Sequence, residues 1–345
     1  MDTNKLIIYF IIGVISSLAL TALILKWLIP YLVKKKIGQP ILELGPNWHM
    51  NKQNTPTMGG ISFIVASSLV FLTLSVVIAL TFKSGSAEYK NKYLIAIVGF
   101  AFAIVNGFIG VIDDSAKVFK RKNEGLSEIA KLVLQFVVTA IYLTVLAFLT
   151  DFNTELLIPI INVKLDLGIF YYLVNAIFIV GILNAVNFTD GIDGLASSVT
   201  MTVALFFATV GFSLVSVGVT LMAGVIMGGL VGFLFFNAHP AKVFMGDTGS
   251  LFLGGIVIGM AYTINMPIIV ILVGIIYIVE LFSVIIQRGV FKITRKLYGE
   301  GKRVFRMAPY HHHLEKGGWG ERKICVVFSL VTFIASVVAF LVIKA

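Results

Sequence analysis

Long apolar runs separated by short polar seams account for most of this chain. With a window of about 19 residues, ten runs stand out, at 6–29, 59–82, 93–112, 129–150, 169–189, 195–214, 216–236, 249–265, 267–287 and 324–343. Each is close to the roughly 20 residues that an α-helix needs to cross the hydrocarbon core, and none alternates in the short segments of a membrane barrel strand. The pattern predicts an all-α, polytopic membrane protein of about ten transmembrane helices, with residues 1–345 forming a single integral membrane domain. The first run lacks a basic leader of signal-peptide type and a small-residue cleavage site, so it is expected to remain as an uncleaved helix. The stretch ELLIPIINVKLDLG, Glu155 to Gly168, partly alternates apolar and polar residues and is expected to form a short β-hairpin on the outer membrane surface. There is no internal repeat, no Walker-type phosphate loop and no soluble domain large enough to bury its own core.

Charge gives this array a direction. An even number of spans puts both termini on one side, and the connections fall into one set at 30–58, 113–128, 190–194, 237–248 and 288–323 and another at 83–92, 151–168, 215 and 266. Of the 27 Lys and Arg residues, 21 lie in or beside the first set, the others being Lys5, Lys83, Lys90, Lys92, Lys164 and Lys344. The positive-inside rule makes the first set cytoplasmic and the termini extracytoplasmic. The net charge of +10 therefore describes one face, next to anionic lipid heads, and needs no nucleic-acid partner. Composition agrees: 58% of residues are hydrophobic and 13% charged, against about a quarter charged in soluble domains. The single cysteine, Cys325, excludes an internal disulfide and any multi-cysteine metal site.

The acids carry the chemistry. Five of the 17 Asp and Glu residues sit in three seams of the cytoplasmic set: Asp113 and Asp114 in GVIDDSAK, Asp190 and Asp193 in NAVNFTDGIDGLA, and Asp247 in VFMGDTGS. One such carboxylate is ordinary helix capping; three seams on one side, each with Gly, Asn, Ser or Thr, point to a site. Asn187, Asp190 and Asp193 recur every third residue and are expected to project from roughly one face of a helical end. Carboxylates brought to about 6 Å at an effective dielectric near 20 repel by roughly 3 kcal/mol per pair, so the cluster requires a cation. Oxygen ligands without thiols favour a hard ion, and Mg²⁺ shared with a substrate phosphate is the usual arrangement. GDTGS, with Gly246 and Ser250, opens an apolar helix whose free N–H groups suit an anion. Lys117, Lys120, Arg121 and Lys122, with Lys302, Arg303 and Arg306, are placed to neutralise a diphosphate. In MAPYHHHLEKGGW, His311, His312 and His313 are consecutive and cannot all aim at one zinc ion on a regular backbone; phosphate contacts or acid–base work suit them better.

Taken together, TPTMGG (55–60), DDSAK (113–117), RKNEGL (121–126) with Lys131 and Gln135, NAVNFTDGIDGLA (184–196), FFNAHPAKVFMGDTGSLFLGG (235–255) and GKRVFRMAPYHHHLEKGGW (301–319) resemble the bacterial phospho-N-acetylmuramoyl-pentapeptide transferase family over essentially the whole chain. The resemblance implies a Mg²⁺-dependent transfer of phospho-MurNAc-pentapeptide from UDP-MurNAc-pentapeptide to undecaprenyl phosphate. The products are lipid I and UMP, in the first membrane step of peptidoglycan synthesis, and so in cell wall biogenesis, cell shape and division. It implies a multi-pass protein of the bacterial inner membrane whose cytoplasmic loops form the active site and which binds uridine-type nucleoside inhibitors. By the same resemblance, Asp113 matches the residue that deprotonates the lipid phosphate or attacks as nucleophile, with Asp114 its partner. Asp247 matches the principal Mg²⁺ ligand, with Asp114 beside it, and His311 a further catalytic position. Asn187, Asp190 and Asp193 match nucleoside-pocket and metal-proximal positions, Phe244 the aromatic that stacks on uracil, and Asn237 a polar site position. Lys52, Thr57, Lys117, Arg121, His312 and His313 match positions around the phosphates and sugar. Two residues depart from the family pattern: Asn54 replaces a usual Gly, and Ser115 a common aromatic.

Two other functions are weighed. A polyprenyl-phosphate GlcNAc-1-phosphate transferase shares the acids but differs at MAPYHHHLE and NFTDG. A secondary transporter would place its site near the bilayer midplane, where only Glu280 lies well within a span. That residue is expected to make a polar contact within the bundle or to serve the function directly. An apolar outer surface permits a homodimer.

Overall fold

The computed structural model describes residues 3–35, 37–38, 52, 55–81, 87–120, 125–150, 154–158 and 163–344. Its helices in chain order are α1 (Thr3–Lys34), α2 (Gly60–Thr81), α3 (Ala87–Lys120), α4 (Glu128–Leu149), α5 (Phe170–Thr189), α6 (Leu195–Ser213), α7 (Val217–Asn237), α8 (Gly246–Thr263), α9 (Ile269–Val273), α10 (Ile275–Tyr298), α11 (Tyr310–Glu315) and α12 (Glu321–Lys344). Between α4 and α5, β1 (Glu155–Ile158) and β2 (Val163–Asp166) pair antiparallel, with Glu155 opposite Asp166 and Ile158 opposite Val163. This is the expected hairpin. The protein is an all-α, polytopic membrane protein.

Eight described helices, α1 to α7 and α12, are long and apolar enough to cross a membrane unaided. The two other expected spans fall on α8 and on the α9–α10 pair, and both depart from a plain apolar rod for visible reasons. The first turn of α8 is the polar Gly246–Ser250 seam, and α10 carries Glu280, Arg288 and Lys292. The Gly246–Ser250 seam carries Asp247, which the site uses, whereas Arg288 pairs with the exposed Glu128.

Burial is graded from the centre outward. From Thr248 to Thr263 every residue of α8 is buried, and α3, α5, α2, α6 and α7 pack around it. The outer helices expose large apolar side chains such as Ile15, Trp27, Ile129, Phe148 and Leu341, as surfaces solvated by lipid must.

Small residues bring α3 and α8 into backbone contact. A Cβ on Gly99 would lie 2.8 Å from the Cα of Gly259, and one on Gly255 would lie 2.6 Å from the Cα of Ala103. Nearer the site, a Cβ on Gly110 would collide with the backbone of Asp247 and Thr248. In lipid, helices gain little from burying apolar area against each other, so close approach of this kind supplies the association through dispersion and short polar contacts. The result is that the last turn of α3 reaches the first turn of α8.

Gly255→Val is expected to cost about 1–3 kcal/mol through overpacking, whereas Gly181→Ala, where no atom lies within 4 Å of the added carbon, should be neutral or slightly stabilising. Thermal melting of the two purified variants in detergent checks the contrast.

Candidate active site

The α3–α8 contact sets the site. Asp114 Oδ2 accepts hydrogen bonds from Thr248 N at 2.9 Å and Thr248 Oγ1 at 2.8 Å, and its Oδ1 accepts Asp247 N at 3.3 Å. A carboxylate from one helix therefore caps the positive end of another. Gly246 precedes this turn with φ of +71°, and any side chain there would meet Asp114 and Thr57; only glycine fits. Asp113 is held differently. Its Oδ1 accepts Leu126 N at 2.8 Å and its Oδ2 lies 2.7 Å from Lys117 Nζ.

Asp247 completes the group. Its Oδ2 lies 2.9 Å from Lys117 Nζ and 2.8 Å from Lys131 Nζ, and its Oδ1 accepts Asn187 Nδ2 at 2.8 Å. Asn187 also donates to Ser250 Oγ at 2.8 Å. One oxygen from each of Asp113, Asp114 and Asp247 lies within 4.8 Å of the others. Three carboxylates against two ammonium groups leave net negative charge, and an all-oxygen donor set fits a hard divalent cation.

A second group lies on the 190–194 turn. The helix α5 ends at Thr189, and Asp190 N bonds back to Asn187 O at 3.2 Å. The chain then turns, and Gly194, with φ of +76°, starts α6. Asn187 and Asp193 consequently face different partners, in contrast to the single helical face expected from their spacing. Asp193 Oδ1 pairs with Lys52 Nζ at 2.7 Å, and its Oδ2 accepts Ala241 N at 2.9 Å and sits 3.0 Å from His239 Nδ1. Lys52 also pairs with Glu321 Oε2 at 2.6 Å. The carboxyl of Asp190 stands well above the usual carboxylate range, because of burial first and then the charges of Asp247, Asp114 and Asp193.

The remaining expected residues are placed as follows. Asn237 is buried and donates to Val243 O at 2.9 Å, bracing the loop. Phe244 is half-buried and is held through its backbone, its N donating to Pro56 O at 2.8 Å and its O accepting Gly59 N at 2.8 Å. Thr57 is buried beside Gly246. The three histidines diverge, as their spacing requires. His311 is fully buried against Glu280, His312 Nδ1 lies 2.6 Å from Glu315 Oε2, and His313 Nδ1 accepts Arg306 N at 3.1 Å. Lys302 sits over the Tyr298 ring and Arg306 Nη1 bonds Lys316 O at 3.5 Å, so both serve their own loop. Arg121, Lys122 and Asn54 fall outside the described residues.

Thr248, His239 and Glu321 were not expected in these groups, and Lys131 was singled out only through a family motif, without a partner. Lys131 carried a physical signal: a lysine in the first turn of an apolar helix opposes the helix dipole and needs an acid close by. Glu321 read as an ordinary acid at a helix start, and nothing local distinguished it.

Residues 94–265 match the family described as glycosyl transferase family 4. A phospho-N-acetylmuramoyl-pentapeptide-transferase of Clostridium acetobutylicum is 44% identical over 314 residues, covering 91% of this chain and 92% of the relative. Proteins of the same name from Clostridium perfringens and Clostridium botulinum are 40% and 44% identical, over 96% and 91% of this chain and 95% and 90% of the relatives. The chain belongs to the phospho-N-acetylmuramoyl-pentapeptide-transferase family. Membership makes it a membrane-embedded phosphotransferase, and the match covers the acids on α3, on the 190–194 turn and on α8.

Asp190 gives a signed expectation for such a transferase. A carboxyl raised in the folded state takes up protons on folding, so its contribution to stability is present at low pH and lost as pH rises through its elevated value. Asp190→Asn should therefore raise the melting temperature at neutral pH while lowering transferase activity by at least about tenfold. Melting curves at pH 5 and pH 8, with the difference between variant and parent shrinking at the lower pH, check it.

Proposed function

We propose that the chain transfers phospho-MurNAc-pentapeptide from UDP-MurNAc-pentapeptide to undecaprenyl phosphate, giving lipid I and UMP, with Mg²⁺ as cofactor. The observation that carries this reading is the convergence of Asp113, Asp114 and Asp247 with Lys117 and Lys131 at the first turn of α8. Donor and acceptor both bring phosphate charge, so a site for them needs cations and fixed donors that do not rearrange during transfer.

The residues divide the work. Asp247 would hold Mg²⁺ with Asp114 beside it, and the three hydrogen bonds that Asp114 accepts from α8 keep the two carboxylates in place. When bound, Mg²⁺ would supply charge neutralisation for the diphosphate. Lys117 and Lys131 pair with Asp247 here and turn to the phosphates when substrate arrives, a short movement for flexible four-carbon side chains. Asp113 has one oxygen on Leu126 N and the other on Lys117, so release of Lys117 frees an oxygen to take the acceptor's proton or to attack. Asn187 fixes Asp247 from the donor side, Phe244 offers a ring to uracil, and Lys52, Thr57, Asp190, Asp193, Ser250 and His311 to His313 surround the sugar and phosphates.

The site end faces the cytoplasm of a bacterial inner membrane, a reading supported by the 21 of 27 basic residues in or beside the loops of that end. There a soluble nucleotide meets a lipid that stays in the bilayer.

Purified protein with Mg²⁺, undecaprenyl phosphate and UDP-MurNAc-pentapeptide is expected to release UMP. Asp247→Asn should slow release by about 10²–10³-fold, and Lys131→Met by about 10–100-fold, at unchanged melting temperature within a few degrees. No UMP from folded parent protein refutes the assignment, and faster release from UDP-GlcNAc than from the muramoyl donor reassigns the sugar.

A further inference from the structure

Glu280 is a carboxylate sealed inside the bundle. It sits two turns into α10 and is fully buried. A charge in such a place is retained only with close partners. Among the described residues, every partner of its side-chain oxygens belongs to His311. The backbone N of His311 donates to Oε1 at 3.1 Å and lies 3.4 Å from Oε2, and His311 Nδ1 stands 3.1 Å from Oε2.

The imidazole is equally enclosed. The Nδ1 contact with Oε2 is close but oblique, so neither ring nitrogen has an aligned hydrogen-bond partner. The opposite edge, Nε2 and Cε1, lies so near the Cα of Gly191 that any side chain there would overlap it. Gly191 follows Asp190 and precedes the turn to Asp193. The ring thus bridges α10 and the turn that carries both acids, with its far nitrogen directed toward that turn.

We propose that Glu280 is a positioning residue for the transfer reaction, acting through His311. Its negative charge favours the proton on the near nitrogen, Nδ1, which leaves Nε2 with a lone pair against the Gly191 turn, and a small shift of that turn on binding lets a hydroxyl of the sugar nucleotide donate to it. Its bond to the His311 backbone fixes the ring's height against Gly191. The inference rests on the reading that His311 touches substrate, and it adds the reason why an acid occurs in the middle of a spanning helix.

Glu280→Gln separates the two parts of the role. The amide keeps an oxygen for the His311 N–H but carries no charge. Expected is a fall in kcat of about 10–100-fold with the donor KM within about twofold, an unchanged melting temperature, and partial recovery in Glu280→Asp. The ¹⁵N spectrum of histidine-labelled protein is simple because there are five histidines, and His311→Asn assigns the signal. His311 should be protonated at Nδ1 in the parent and should change in Glu280→Gln. An unchanged His311 signal, an unchanged kcat, or a kcat loss matched by loss of folded protein overturns the proposal. Absence of UMP release from the parent would refute the proposed function instead, and the ¹⁵N comparison would still decide the Glu280–His311 pairing.

Discussion

Everything at this site depends on how closely two helices approach. The backbones of α3 and α8 touch because Gly99, Gly110, Gly255 and Gly259 have no side chains to hold them apart. Lipid tails give no hydrophobic reward for pairing two apolar helices, so only contact at this range competes with lipid contact. The same closeness lets Asp114 reach across and cap α8 with three hydrogen bonds. With larger residues along the seam, that carboxylate would lose its place on α8 and keep only the longer contact with Lys117 at 3.6 Å.

Electrostatic balance follows from the geometry. Three acids within 4.8 Å are tolerated because Lys117 and Lys131 lie among them, each on a different helix. Lysine suits this place better than arginine: its compact ammonium on a flexible stem can move from carboxylate to phosphate, whereas a guanidinium bound in a fork would not release as readily. Lys52 does the equivalent at the second group, between Asp193 and Glu321. Each carboxylate cluster thus carries its own removable cation.

Much of this was legible in the sequence, and the limits have physical causes. Spans α1 to α7 and α12 follow from apolar length alone, and the hairpin from alternation and its flanking turns. The acids of α3, of the 190–194 turn and of α8 announced themselves by interrupting oily sequence on one side of the array. What could not be read was pairing. Asn187 and Asp193 share a period of three, but the helix ends between them and sends each to a different partner. Asn237 donates to Val243 O and accepts from Ser197 Oγ, partners that its place in the sequence did not indicate. Lys131, His239 and Glu321 are single polar residues whose meaning lies in neighbours 46 to 128 positions away or more, and only the folded chain supplies those neighbours.

The cap that Asp114 places on Thr248 joins residues 134 positions apart, and Lys52 meets Glu321 across 269. A ribosome making this chain therefore delivers Asp113 and Asp114 to the membrane long before α8 exists to receive them, and the Lys52 clasp waits for the start of the final helix. Chains that stop before α8 lack the Asp114 cap, and chains that stop before α12 lack the Lys52–Glu321 clasp. The fold therefore assembles its two charge groups in the order in which their last helices are made.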